Sequence, residues 1–254
     1  MSKKNQLPKV SVLTVYKRPE GEVIVGKCLD NQTFTDFEWV IVTPEPVEKV
    51  RKEASTPFIY VPEPPIRKGE TWHLNRAYNY GLRQCRGELV VSIQDEIWFP
   101  DDALNKFWFN YQRLGNKSCI SGVGDIYMEE DSFGKPILKV WADPRKKEIK
   151  NVYECFPNDL EFNFCAVPLK GMYEIGGFDE GLDMLGYGMD NVSVSERLDA
   201  LGYKFYLDQS NECRGLKQSR ATDWDEKHTM HGAYKIRMGE LLQADGTYKK
   251  LDYL

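Results

Sequence analysis

The feature that most confines this chain is a rhythm in its first hundred residues. Apolar, β-branched runs at 10–15 (VSVLTV), 37–42 (FEWVIV), 58–61 (FIYV) and 88–93 (ELVVSI) recur with helix-length segments between them. Segment 22–33 sets Val23, Ile24, Lys27 and Cys28 at helical spacing, and 71–85 sets Leu74, Ala77, Tyr78 and Leu82 on one face. A shorter helix is expected over 47–54. Pro44 and Pro46 stop the second run, and the PEPP turn stops the third. Strands that alternate with helices build βαβ units, whose strands run parallel and are covered on both faces. Ligands of such sheets bind beyond the carboxyl ends of the strands.

The fourth run ends in an unusual way, with SIQDEIWFP at 92–100. Two adjacent carboxylates, Asp95 and Glu96, follow an interior strand and are covered by Ile97, Trp98 and Phe99. An acidic turn is the plain reading. The other reading is a divalent cation site, because carboxylate oxygens are hard ligands and Mg²⁺ or Mn²⁺ takes one or two of them beside substrate phosphates. The position at the binding edge favours the second.

The rest of the chain is less regular. A helix is expected over 100–114, with Asp101 or Asp102 as its cap. Short strands and turns are expected over 118–160, and a strand over 161–167. The stretch 168–191, PLKGMYEIGGFDEGLDMLGYGMDN, is rich in glycine and precedes a helix over 192–201 and a short strand over 204–207. Residues 214–254 are polar and read as loops with a helix or two. No internal repeat is visible.

Composition excludes several classes. With 41% hydrophobic and 13% aromatic residues, the 254-residue chain can bury a core and is not a disordered sequence. A net charge of −5 gives no bulk attraction to nucleic acid or anionic lipid. Six cysteines at 28, 85, 119, 155, 165 and 213 show no CxxC spacing and read as reduced thiols, so a cytoplasmic location is expected. The polar opening MSKKNQLPKV lacks the apolar segment of a signal peptide, and no window is apolar enough to span a membrane.

Five blocks then carry a resemblance. PKVSVLTVYKRP (8–19), CLDNQTFTDFEWVIV (28–42), LNRAYNYGLRQCRGELVVSIQDEIWFPDDAL (74–104), FCAVPLKGMYEIGGFDE (164–180) and GYGMDNVSVSERLDALGYKF (186–205) resemble, in that order, the blocks of family 2 glycosyltransferases. The resemblance implies a GT-A fold, an α/β Rossmann-like open twisted and mostly parallel sheet with helices on both faces. It also implies one domain with a nucleotide-sugar-binding half over 1–115, an acceptor-binding half over 116–213 and a C-terminal tail over 214–254 packed on the body. The expected activity is transfer of a sugar from a nucleoside diphosphate, UDP being the expected nucleotide, to an acceptor hydroxyl with inversion. A divalent cation, Mn²⁺ or Mg²⁺, is the expected cofactor.

Site residues follow from the same resemblance. Thr14, Tyr16 and Arg18 fall in the strand and turn that meet the nucleotide, and Glu45, Arg76, Asn79, Gln94 and Asp95 complete the donor set. Gln94-Asp95-Glu96 matches the DxD-type motif, so Asp95 and Glu96 are the expected metal ligands. The motif's leading aspartate is Gln94 here, which can hydrogen-bond a ribose but is a poor ligand for a hard cation. After the second strand the usual acidic pair is replaced by Thr43-Pro44-Glu45, which leaves the nucleobase open. GYGMDN matches the segment of the general base, where the usual Glu-Asp pair is Asp190-Asn191. Asp190, placed in a turn before the 192–201 helix, is the expected base, with Asp183 and Asp179 next. His228 is the expected third metal ligand, a solvated surface histidine being the alternative for it and for His231; His73 reads as packing. Two other classes stay open, a sugar nucleotidyltransferase and a non-catalytic sugar- or nucleotide-binding module. The acceptor is not legible.

Overall fold

The computed structural model describes residues 7–16, 21–44, 47–65, 67–68, 73–128, 135–185, 189–216 and 231–254. The alternation at the start is realised as β1 (Val10–Val15), α1 (Glu22–Asp30), β2 (Phe37–Thr43), α2 (Glu48–Glu53), β3 (Phe58–Pro62), α3 (Leu74–Leu82) and β4 (Leu89–Ile93). After β5 (Ile97–Trp98) come α4 (Ala103–Leu114), β6 (Ser118–Tyr127), β7 (Lys139–Trp141), β8 (Val152–Glu154), β9 (Phe164–Pro168), α5 (Leu169–Ile175), α6 (Asp190–Ala200), β10 (Lys204–Leu216) and α7 (His231–Leu241). Two single 3-10 turns lie at Pro157–Asp159 and Glu180–Met184.

One sheet of ten strands runs through the molecule in the order β3-β2-β1-β4-β9-β6-β10-β5, with β7 added beside β6 and β8 beside β10. β1 pairs in parallel with both β2 and β4, Val12 facing Trp39 on one side and Val91 on the other. β9 lies antiparallel between β4 and β6, and β6 and β10 are parallel again. The sheet is therefore parallel in its first half and mixed in its second.

Alternate residues of the strands feed two cores. On one face Val12, Trp39, Ile41, Val91 and Phe164 pack under α1, α2 and α4; on the other Leu13, Val40, Val90 and Val167 pack under α3, α5 and α6. Phe164 lies 5.1 Å from Phe107 and 5.9 Å from Phe99 between ring centroids, contacts of about 0.5–1.5 kcal/mol each beyond simple burial. A third, smaller cluster seats α7 through Tyr234, Met238 and Leu241 on Leu182.

The second half departs from the sequence reading in three places. α5 occupies a stretch that reads as a glycine-rich loop. α6 begins at Asp190 rather than 192. β10 runs thirteen residues, not four, because its polar interior is hydrogen-bonded: Asn110 Nδ2 donates to Asp208 Oδ2 at 2.7 Å and Gln209 Nε2 to the Arg145 carbonyl at 3.0 Å. All six cysteines are free thiols. Among the described residues no helix is long and apolar enough to cross a membrane.

Candidate active site

Strand order places the site. The chain leaves β1 toward β2 and β3 on one side and returns to β4 on the other, so the strand order reverses between β1 and β4, and the carboxyl ends of these two strands are where such sheets form a ligand crevice. Tyr16 follows β1, Thr43 ends β2, and Gln94-Asp95-Glu96 follows β4. The Tyr16 amide donates to the Val42 carbonyl at 3.1 Å and the Gln94 amide to the Asn163 carbonyl at 3.0 Å, so both turns are fixed as they leave the sheet.

Glu96 has φ 59°, the left-handed region, and no other non-glycine residue among those described has a positive φ. For an L-residue with a side chain this costs about 1–2 kcal/mol. The strain is held from both sides: the Glu96 amide donates to the Gly21 carbonyl at 2.8 Å, and its carbonyl accepts from the Leu216 amide at 3.1 Å. Asp95 is nearly enclosed and packs against Gly21, where a Cβ would meet Asp95 Cβ at 2.7 Å and Oδ2 at 2.8 Å. Only glycine fits there. Glu22, the first residue of α1, is fully buried. Tyr16 shares this neighbourhood: burial first, then Glu22, and more weakly Asp95, push its phenol well above the usual range, with Thr43 opposing. The acids after β4 are thus largely covered, and they belong to a packed acidic cluster.

A second cluster forms where α3 meets α6. The Asn75 side-chain amide donates to Asp183 Oδ1 at 2.8 Å and to Asp190 Oδ1 at 2.7 Å. Asp183 also accepts the backbone amides of Asn75 and Arg76, both at 3.1 Å, and so caps α3 from a distant part of the chain. Burial raises the Asp183 carboxyl to about 7, opposed by these hydrogen bonds and assisted by the charge of Asp190. Asp190 is 7% exposed and occupies the first turn of α6. It is less exposed than a loop residue would be, because the helix starts early. Tyr78 joins the two clusters. Its hydroxyl lies 3.4 Å from Ser92 Oγ, and burial raises its pKa above the usual phenol range, with Ser92 and Gln94 opposing and Asp190 adding to the rise.

The other expected donor residues are distributed differently. Thr14 is fully buried and its hydroxyl accepts Trp39 Nε1 at 3.1 Å, so it acts on the core side of β1. Arg76 donates from Nη2 to the Pro65 carbonyl at 2.5 Å. Asn79 is enclosed; its Oδ1 accepts the Phe178 amide at 2.8 Å and its Nδ2 donates to the Phe178 carbonyl at 3.0 Å and Glu180 Oε1 at 3.2 Å. This makes it a tie between α3 and the turn after α5 rather than a group facing a ligand. His73 is buried against Glu63 at 2.9 Å, as packing requires. Arg18, Glu45 and His228 lie outside the described residues, as does the side chain of His231. Asn75 and Glu22 were not expected; a helical asparagine and the first acid of a helix carry no sequence signal that separates them from ordinary polar positions.

Among the described residues no group of three histidine, cysteine or acidic side chains is assembled to hold a metal ion. Asp95 and Glu96 offer two carboxylates at the crevice, a donor set that suits a cation sharing its other positions with phosphate oxygens and water.

The sheet is parallel through β4, turns mixed at β9 and carries an acidic, strained turn beyond β4, and comparison with solved structures shows this to be the GT-A fold. The crystal structure of GalNAc-T7 with UDP, GalNAc and Mn2+ is similar to this chain over 85% of its length, with a TM-score of 0.64 and 11% identity, and the chain spans 45% of that structure's chain. The likeness is one of fold. No family model matches the chain, and no curated protein matches it in sequence.

Proposed function

We propose that this protein is a nucleotide-sugar-dependent glycosyltransferase of the family 2 kind, which moves a sugar from a UDP-type donor to an acceptor hydroxyl with inversion. The observation that carries the proposal is the left-handed, doubly held backbone of Glu96 beside Asp95 at the crevice between β1 and β4. Strain maintained by its surroundings in this way is characteristic of functional turns. The resemblance to family 2 blocks and the similarity to a GalNAc-T7 structure whose title names UDP and Mn2+ support the same reading.

In this proposal residues 1–115 form the donor half and 116–213 the acceptor half, with 214–254 packed on the body. Asp95 and Glu96 hold a divalent cation, with His228 as the further ligand. The cation, when bound, neutralises charge on the leaving diphosphate. Tyr16, Arg18, Glu45 and Gln94 meet the nucleoside, while Thr14, Arg76 and Asn79 position the elements around it. Asp190 accepts the proton of the acceptor hydroxyl, held in place by Asn75. The six free thiols suit a reducing, cytoplasmic setting.

The test is a thermal-shift panel of nucleoside diphosphates and their sugars with and without Mn²⁺, followed by donor hydrolysis. Specific binding raises apparent stability by mass action. UDP-sugars with Mn²⁺ are expected to shift the transition, and Glu96→Ala is expected to abolish the Mn²⁺-dependent part. Unchanged donor affinity in Glu96→Ala rejects the metal assignment. Donor binding without turnover to water or to any hydroxyl makes the protein a binding module. Release of pyrophosphate from a nucleoside triphosphate and a sugar phosphate makes it a nucleotidyltransferase.

A further inference from the structure

We propose that a cavity between α5, α6 and the C-terminal residues binds a small phosphate-class oxyanion through Arg197, at a site separate from the crevice. Arg197 is 1% exposed. Its Nε donates to the Ser193 carbonyl at 3.1 Å, and its Nη1 donates to the carbonyls of Ile175 at 3.1 Å and Gly177 at 2.8 Å. Nη2 is also enclosed and donates to nothing. Among the described residues every hydrogen bond of Arg197 therefore goes to a neutral carbonyl, no carboxylate is in direct contact with it, and the charge acting on it most strongly is that of Asp179. The buried acid of this region, Asp179, is held by Arg237 at 2.7 Å. A buried guanidinium with no anion in direct contact costs several kcal/mol, and Asp179, already paired with Arg237, offsets this only at a distance, which points to a further counter-ion beside Nη2. Burial lowers the Arg197 pKa to about 10, so the group remains charged at neutral pH.

Arg197 lines a cavity of about 230 Å³ whose other walls are Ile175, Leu201 and residues 247–250. Lys249 and Lys250 are exposed at this cavity and add positive charge to it. The acid that also lines it, Glu174, is engaged elsewhere: it accepts the Tyr203 hydroxyl at 2.8 Å and pairs with Lys170 at 3.6 Å. The volume lies below the range of about 300–1,000 Å³ of ligand and cofactor sites, so it admits an ion or a small phosphomonoester and not a nucleotide sugar. A guanidinium edge and two ammonium groups are the donors that tetrahedral oxyanions take. Arg197 lies about two helical turns along α6 from Asp190, so the cavity is distinct from the acidic clusters.

The experiment is calorimetric titration of the full chain with inorganic phosphate at fixed ionic strength, repeated with saturating UDP present. One saturable site, unaffected by UDP, is the expected result. Arg197 also holds the end of α5, so its replacement can unfold the protein; the informative variant is Lys249→Gln/Lys250→Gln, which removes only exposed charge. It is expected to weaken phosphate binding about tenfold or more with an unchanged thermal transition in phosphate-free buffer. A second arm adds glucose 1-phosphate: competition with phosphate identifies a phosphomonoester as the ligand, and its absence identifies the free ion. No saturable phosphate binding leaves a merely hydrated guanidinium and overturns the proposal. Unchanged affinity in the double variant, or displacement of phosphate by UDP, places the ion elsewhere and overturns it equally.

Discussion

Asp183 and Asp190 share one amide, that of Asn75, yet their surroundings assign them different work. Asp183 is fully enclosed and caps α3; Asp190 keeps a small exposed surface in the first turn of α6. Asp190→Asn preserves shape and hydrogen bonding and removes basicity. Transfer is expected to fall about 10²–10⁴-fold, the usual cost of losing a general base, with donor affinity retained. Measuring both on one variant decides the role, since loss of donor affinity would make Asp190 a donor-side or structural residue. For Asp183 the folded value of about 7 stands above the ordinary carboxylate value of 3.8, so the native state holds the proton more tightly than the unfolded chain. Its contribution to stability is complete below the lower value and is lost as pH rises toward 7. Asp183→Asn is expected to lose less unfolding free energy than the parent between pH 4 and pH 8, measured by urea denaturation at both. Parallel pH slopes would show that another group titrates.

At the scale of elements, α7 depends on one buried contact as much as on its apolar face. Arg237 grips Asp179 through Nε at 2.7 Å and Nη2 at 2.9 Å, and Asp179 is fully buried. Arg237→Ala leaves that carboxylate without its cation and is expected to cost about 3–5 kcal/mol. Hydrogen exchange should show α7 losing protection before the sheet; uniform loss would mean that the helix and the sheet open together. The elements differ in how far they can be read from the chain. β1 to β4 are legible because Val10, Val12, Trp39, Ile41, Val90 and Val91 make apolar runs that nothing but a strand covered on both faces explains. β10 is not, because Asp208, Gln209 and Asn211 are polar and become interior only through partners on other segments. α5 is hidden by Gly171, which reads as a loop residue but lies against the ring of Tyr203, where a Cβ would come within 2.8 Å. In the site, the acids after β4 stand out by position in the sequence. Asn75 and Asp183 do not, since their role exists only once α3 and α6 meet.

The whole molecule is one continuous sheet whose crevice is framed by widely separated parts of the chain. Asn75 meets Asp183 across 108 residues and Asp190 across 115, and Asn79 meets Phe178 across 99. Joining segments so far apart requires loop closure that local helices and neighbouring parallel strands do not. The expected order of folding follows: Asn75 meets Asp183 and Asp190 after the strands β1 to β4 have found one another. Asn75→Ala, which leaves two acids short of a donor, is expected to cost about 2 kcal/mol. That cost should appear as roughly thirtyfold faster unfolding with refolding nearly unchanged, read from both limbs of a denaturant chevron. Slower refolding would place this contact in the folding nucleus instead. If the proposed function holds, a newly made chain would then acquire its donor-facing surface before the groups that act on an acceptor, and would pass through a stage able to hold a nucleotide but unable to use it.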